Sequence, residues 1–182
     1  MRGLFQESGP SSANSDPFSY EICGLDRVTK LGAGWQTIYG RPRGGALHHT
    51  LWELLGEGNI ADLYRALVTH VRRNSVRIEF QFRCDDLEFK RTMIMIMEPV
   101  GDNAIRFSSR PLSVEPQNVA EYFYRLNQSP MNVDFCEQCG TIKVGKEWLA
   151  TDRALEVLGL FADDISFKTW PMTCPSCRHH GH

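Results

Sequence analysis

Four of the six cysteines fall in two Cys-x-x-Cys pairs, Cys136-Glu137-Gln138-Cys139 and Cys174-Pro175-Ser176-Cys177, with 34 residues between the pairs. Each pair can wrap one turn of backbone around a metal, and two pairs complete a tetrahedral thiolate site. Gly140, directly after the first pair, suits a tight turn that aims backbone N–H groups at a sulfur. Lys143, Lys146 and Arg178 lie nearby in sequence and are candidates to offset the negative charge of four thiolates around Zn2+. Four protein ligands close the coordination sphere, whereas a catalytic zinc keeps one position for water. Structural Zn2+ on Cys136, Cys139, Cys174 and Cys177 is therefore the expectation. Thiol–disulfide exchange and an iron–sulfur cluster are the competing chemistries of the same residues.

The remaining candidates read more plainly. Cys84 follows a strand whose apolar face includes Phe82 and is predicted to point inward as a small hydrophobe, as is Cys23. His70 sits at the edge of an apolar helix face and reads as a boundary residue. His48 and His49 could line a pocket, but two histidines without further ligands are a weak metal signal. His179, His180 and His182 read as a tail. Trp35, Trp52, Trp148 and Trp170 are expected as packing anchors. Arg65, Arg72, Arg73, Arg77, Arg83, Lys90 and Arg91 read as solvated faces rather than an anion site. The chain carries no phosphate-binding glycine loop, nucleophile elbow or zinc-protease motif, so an enzyme is not expected.

The elements that must position these residues follow from patterning. Residues 1–17 are rich in Ser, Gly, Pro and Asn and read as a flexible tail. Tyr20 to Thr29 reads as a strand broken near Cys23-Gly24, and Leu47 to Leu55 as a short helix. Asn59 is the predicted N-cap of a longer helix, with Asp62 completing a partial capping box. Ile60, Leu63, Tyr64, Leu67, Val68 and Val71 form its apolar face. Val76, Ile78, Phe80 and Phe82 alternate with Arg77, Glu79, Gln81 and Arg83, the period of a half-buried strand. Phe89 to Met97 and Ala104 to Ser109 complete a meander around the turn Gly101-Asp102-Asn103. A helical connector carries Val119, Tyr122, Phe123 and Leu126, and an amphipathic helix is expected near Thr151 to Phe161, inside the spacer between the cysteine pairs.

The chain has 182 residues, 42% hydrophobic and 23% charged, with a net charge of −2. That is an ordinary soluble composition, and its longest apolar run, Met93 to Met97, is far short of the ~20 residues of a membrane span. Met1 to Glu7 lack the apolar stretch of a signal peptide, so a cytoplasmic location is expected. From Asn127 onward five Lys/Arg face seven Asp/Glu. A phosphate-binding surface needs the opposite balance, and nucleic acid is not an expected partner.

Strands, short helices, a longer helix and a three-strand meander follow one another as in a PAS domain. Leu63-Tyr64-Arg65-Ala66-Leu67, Val71-Arg72-Arg73, Phe82-Arg83-Cys84-Asp85 and Arg91, followed by the two cysteine pairs, resemble a set of small proteobacterial PAS-fold proteins. The resemblance implies an α+β chain: a PAS-like antiparallel sheet with flanking helices over 18–112, a helical connector over 113–135, and a zinc-ribbon-like module over 136–182. It implies a sensory, signalling or protein-interaction factor acting on a partner protein or as a homodimer. A small-molecule pocket is expected between the inner sheet face and the helix of residues 59–73, and the sheet's outer face or the connector as the interface. In some PAS domains that helix presents a haem ligand, but a colourless protein is the expectation here. A thiol-redox protein or enzyme, and a nucleic-acid-binding regulator, are the alternative readings.

Overall fold

Ile78 and Phe80 are buried while Glu79 and Gln81 are exposed, so the period-two pattern becomes a strand with one wet face. The computed structural model describes residues 18–34, 45–85, 88–118, 130–161 and 167–179. The chain is mixed α+β. Strands β1 (Ser19–Ile22), β2 (Val28–Leu31), β3 (Ile78–Arg83), β4 (Phe89–Pro99) and β5 (Ile105–Pro116) form an antiparallel sheet in the order β2-β1-β5-β4-β3. Helices α1 (Leu51–Leu55) and α2 (Asn59–Asn74) lie between β2 and β3 in sequence. A second sheet, in the order β8-β7-β6-β9, holds β6 (Met131–Cys136), β7 (Ile142–Val144), β8 (Glu147–Leu149) and β9 (Phe167–Met172). Helix α3 (Thr151–Leu158) precedes β9 and α4 (Pro175–His179) follows it. The apolar connector residues Val119, Tyr122, Phe123 and Leu126, the N-terminal tail and Trp35 lie outside the described residues.

Helix α2 buries Leu63, Leu67 and Val71 in one core with Ile22, Phe80, Met97, Ile105 and Phe107. Each such side chain contributes roughly 1.5–3 kcal/mol relative to exposure. Arg72, near the end of α2, donates to the carbonyls of Cys23 (2.8 Å) and Asn103 (2.9 Å) and pairs with Asp26 at 2.6 Å. One guanidinium thus ties the β1–β2 and β4–β5 turns to the helix. The outer sheet face carries a charge network. Burial alone would raise the carboxyl pKa of Glu21, but Lys30 at 2.7 Å and Arg106 at 2.9 Å outweigh it and hold the group below its usual value.

Several local expectations are corrected. The short helix starts at Leu51 rather than Leu47, because Thr50 and Glu53 form a reciprocal capping box. Gly58, not Asn59, caps α2, and without a side-chain bond. Asn59 and Asp62 reach instead to β9. Asn59 Nδ2 donates to the Phe167 carbonyl (2.7 Å), Asn59 Oδ1 accepts from the Thr169 amide (3.1 Å), and Asp62 accepts from the Thr169 hydroxyl (2.7 Å). The Asn59 amide thereby occupies the open edge of β9, and Pro171 further along removes a donor there. Arg83 does not face solvent with Glu79 and Gln81: it is turned onto Asp85, whose carboxylate also accepts from the Arg91 amide at 2.9 Å. Because β3 ends at Arg83, the alternation stops before Cys84, which is exposed rather than inward-facing.

The C-terminal residues share the core of the first sheet. Val133, Phe135, Ile142, Ala154, Leu155 and Leu160 are buried in the same cluster as Leu63 and Phe80. The Phe161 ring lies 5.9 Å from Tyr64, 5.7 Å from Phe80 and 6.0 Å from Phe167, while its carbonyl accepts from the Arg83 amide. Strand β5 runs four residues past the expected boundary at 112, and β6 starts at Met131, inside the expected connector.

Replacing Asn59 with Ala removes both of its bonds to the β9 backbone and leaves the Phe167 carbonyl and Thr169 amide short of partners. The expected cost is about 1–3 kcal/mol in urea unfolding of the full chain. A change of a few tenths would show that the amide does not hold β9 in place.

Candidate metal centre

Strand β6 and strand β9 pair in parallel, with Cys136 opposite Met172. Both therefore finish at the same end of the sheet, and each is followed by its own Cys-x-x-Cys turn. Parallel neighbours cannot be joined by a tight hairpin; the chain must cross back over the sheet. The β7–β8 hairpin and α3 lie between the two strands in sequence, and the need to cross back is the physical reason for the long spacer.

After β6 the first turn closes with Gly140 N–H bonded to the Cys136 carbonyl (2.9 Å) and Cys136 N–H to the Thr141 carbonyl (2.8 Å). Gly140 has φ +77°, and a Cβ added there would overlap the Ala66 carbonyl oxygen of α2. Only glycine lets the turn lie on the helix backbone. The Gly140 carbonyl accepts from the fully buried hydroxyl of Thr151, which starts α3. The second turn runs into α4, with the Arg178 amide on the Cys174 carbonyl at 3.0 Å.

The four sulfurs lie within 4.8 Å of one another, and Cys139 and Cys174 approach to 3.6 Å. Zn–S bonds of about 2.3 Å in a tetrahedron place sulfurs about 3.8 Å apart. All four thiols are free of disulfides. Cys136, Cys174 and Cys177 are buried, Cys139 is half-buried, and Trp148 packs against the group. The donors around the sulfurs suit thiolates: the Cys174 amide points at Cys136 Sγ and the Cys177 amide at Cys174 Sγ, both at 3.4 Å. Thr141 Oγ1 lies 3.1 Å from Cys139 Sγ. Four sulfur donors, sealed on most sides and met by N–H groups, fit a metal ion that favours thiolate ligands.

The thiols are electrostatically unequal. Burial resists ionisation of Cys174, but the Cys177 amide and the neighbouring sulfurs outweigh it and bring the thiol down to about 6. Cys177 is pushed up to about 12, by burial and then by the adjacent sulfurs. Cys139 is also raised, chiefly by burial, with Thr141 pulling the other way. One sulfur carries charge readily, and the next ionisations are opposed until a cation is present.

None of the three cations expected to serve this centre has a hydrogen bond or ion pair to a cysteine sulfur among the described residues. Lys143 pairs with Asp134 at 3.4 Å, Lys146 is exposed, and Arg178 donates to the Thr173 carbonyl at 3.5 Å. Arg73 serves instead. From the last turn of α2 its Nη1 donates to the Gln138 carbonyl (3.0 Å) and lies 4.0 Å from Cys177 Sγ. Its place in a basic run was visible in sequence, but not its direction.

Among the described residues, no histidine joins a group of three or more potential ligands; the four cysteines form such a group. His49 pairs with Glu53 at 3.4 Å. His70 bridges helices, with Nδ1 3.1 Å from Asn74 Nδ2 and Nε2 3.8 Å from Asp152 Oδ1. Trp52 donates to Asp26 at 2.8 Å under the Arg65 guanidinium, and Trp170 is largely exposed rather than a packing anchor. Between the sheet and α2, the expected place of a pocket, lie the buried side chains of Leu63, Leu67, Val71, Phe80 and Phe107. A cleft of about 400 Å3 opens on the opposite face of α2, lined by Trp52, Asp62, Arg65, Thr69, Phe135 and Glu137 among others. No helix among the described residues is long and apolar enough to cross a membrane. No protein-family model matches the chain, and no curated protein matches it.

Two outcomes are expected. Because Cys139 and Cys177 hold their protons at pH 7, zinc added to the metal-free chain should release at least about two protons per ion, read by calorimetry in buffers of different ionisation heat. Affinity should fall as pH falls, and release of less than about one proton would contradict the thiol assignment. Gly140→Ala should destabilise the chain by more than about 2 kcal/mol, through forced positive φ and collision with α2. Wild-type stability in that variant would show that the turn does not rest on the helix.

Proposed function

We propose that the protein is a regulatory or sensory interaction factor, in which a PAS-like unit and a zinc-bound four-cysteine unit together present a shaped surface to a partner protein or a second copy. The observation that carries the reading is the closed set of four sulfur donors. A metal held by four protein ligands has no open position for water or substrate, so it builds shape rather than chemistry. In support of the PAS-like part, the described residues between 18 and 116 hold two strands, a short helix, a longer helix and a three-strand meander in that order, gathered into one antiparallel sheet with α2 on one face. The mild negative charge of the C-terminal residues favours protein over nucleic acid as partner. The cleft beside α2, walled by both parts, is the place where a small polar ligand would bias such a surface.

Zinc held here would contribute to the folding of the shared core as well as to its own loops. The full chain purified from cells should be colourless and carry one zinc per chain. Cys136→Ser or Cys174→Ser should lower that stoichiometry and depress the unfolding transition reported by the first sheet as well as by the C-terminal residues. Affinity capture with the zinc-loaded full chain, set against the Cys174→Ser variant, tests the interaction role: a partner or second copy retained only by the loaded form is the expected result. Full zinc occupancy in both serine variants would remove the four-ligand assignment. An intense visible chromophore, or a loaded chain that captures nothing, would remove the regulatory reading.

A further inference from the structure

The four sulfurs are not equally shielded. Cys136, Cys174 and Cys177 are buried, while Cys139 is half-buried beside the Thr141 hydroxyl. A sulfur of the other turn, Cys174 Sγ, lies 3.6 Å from Cys139 Sγ. A disulfide needs about 2.05 Å between sulfurs, a closure of about 1.6 Å. The turn that carries Cys139 is also the one lying on α2, through Gly140 against Ala66 and Arg73 on Gln138.

We propose, resting on the zinc reading above, that the centre is a hydroperoxide-operated latch in which Cys139 meets the oxidant and Cys174 resolves it. The Cys139 thiolate attacks one peroxide oxygen; the O–O bond breaks and hydroxide leaves, taking a proton to become water. The sulfenic acid on Cys139 is then attacked by the Cys174 thiolate. The S–S bond forms, the S–O bond breaks, and a second hydroxide is protonated. Two thiolates have lost two electrons and the peroxide has gained them. Cys136 and Cys177 alone cannot fill four positions, so zinc leaves. The turn between Cys136 and Gly140 then loses the metal that holds it against α2, and the cleft wall at Phe135 and Glu137 is freed with it.

The zinc-loaded full chain is treated with stepwise hydrogen peroxide while released metal is read with a chromogenic chelator. Disulfides are mapped by mass spectrometry without reduction, and amide exchange is followed over residues 66–73. One zinc should leave per disulfide formed, the link should join Cys139 to Cys174, and exchange in α2 should rise. A dithiol with added zinc should reverse all three. Exposed Cys84 gauges the reach of the oxidant. Oxidised Cys84 with zinc retained overturns the latch while leaving the metal centre standing. A disulfide between another pair overturns the assignment of roles. A chain that never binds zinc fails the metal reading itself and takes the latch with it. In a Thr141→Val variant, with its zinc content measured first, loss of the hydroxyl beside Cys139 should speed peroxide-driven release severalfold. An unchanged rate overturns Cys139 as the point of attack.

Discussion

Four sulfurs held within 4.8 Å of one another set ionised thiols against each other in a site largely sealed from water, and a divalent cation turns that repulsion into attraction. Much of the surrounding architecture follows from bringing those sulfurs together. The parallel register of β6 and β9 delivers both cysteine pairs to one end of a sheet. The crossover that parallel pairing demands supplies β7, β8 and α3, and α3 in turn clamps the first turn through Thr151. Backbone amides and one guanidinium, rather than the lysines near the motif, face the sulfurs.

Helix α2 is the element through which this centre and the first sheet become one body. Leu63, Leu67 and Val71 face the sheet; Ala66, His70 and Arg73 face the cysteine turn and α3; Asp62, Arg65 and Thr69 face the cleft. Ala66 is small where Gly140 has no side chain, so two backbones come into near contact. Asn59 and Asp62 extend the same helix to the edge of β9, and Phe161 closes the far side with an aromatic cluster. The cysteine turn thus meets α2 by direct contact.

The thiol centre was legible because its chemistry is written locally: cysteine spacing, a following glycine, and four ligands are properties of short segments. The β3–β5 meander and α2 were legible for a similar reason, since their periods of two and 3.6 residues place apolar side chains on one face. Turn residues at Gly101-Asp102-Asn103 behaved as their positive φ preferences require.

Other features depended on which elements meet. Nothing in Asn59 or Asp62 distinguishes a capping residue from one that reaches β9, because the same donors and acceptors serve both uses. Cys84 continues an inward parity that holds only as long as the strand lasts, and the strand stops one residue earlier. Arg73 looks like its neighbours until α2 is set beside the cysteine turn. The parallel pairing of β6 with β9, the shared core and the position of the cleft are all matters of long-range packing. The sequence by itself determined which atoms could bind a metal and which faces had to be buried, because covalent spacing and local periodicity decide those. The tertiary structure decided which residues serve the centre and that α2 joins it to the sheet, because partners distant in sequence are chosen by the fit of whole surfaces.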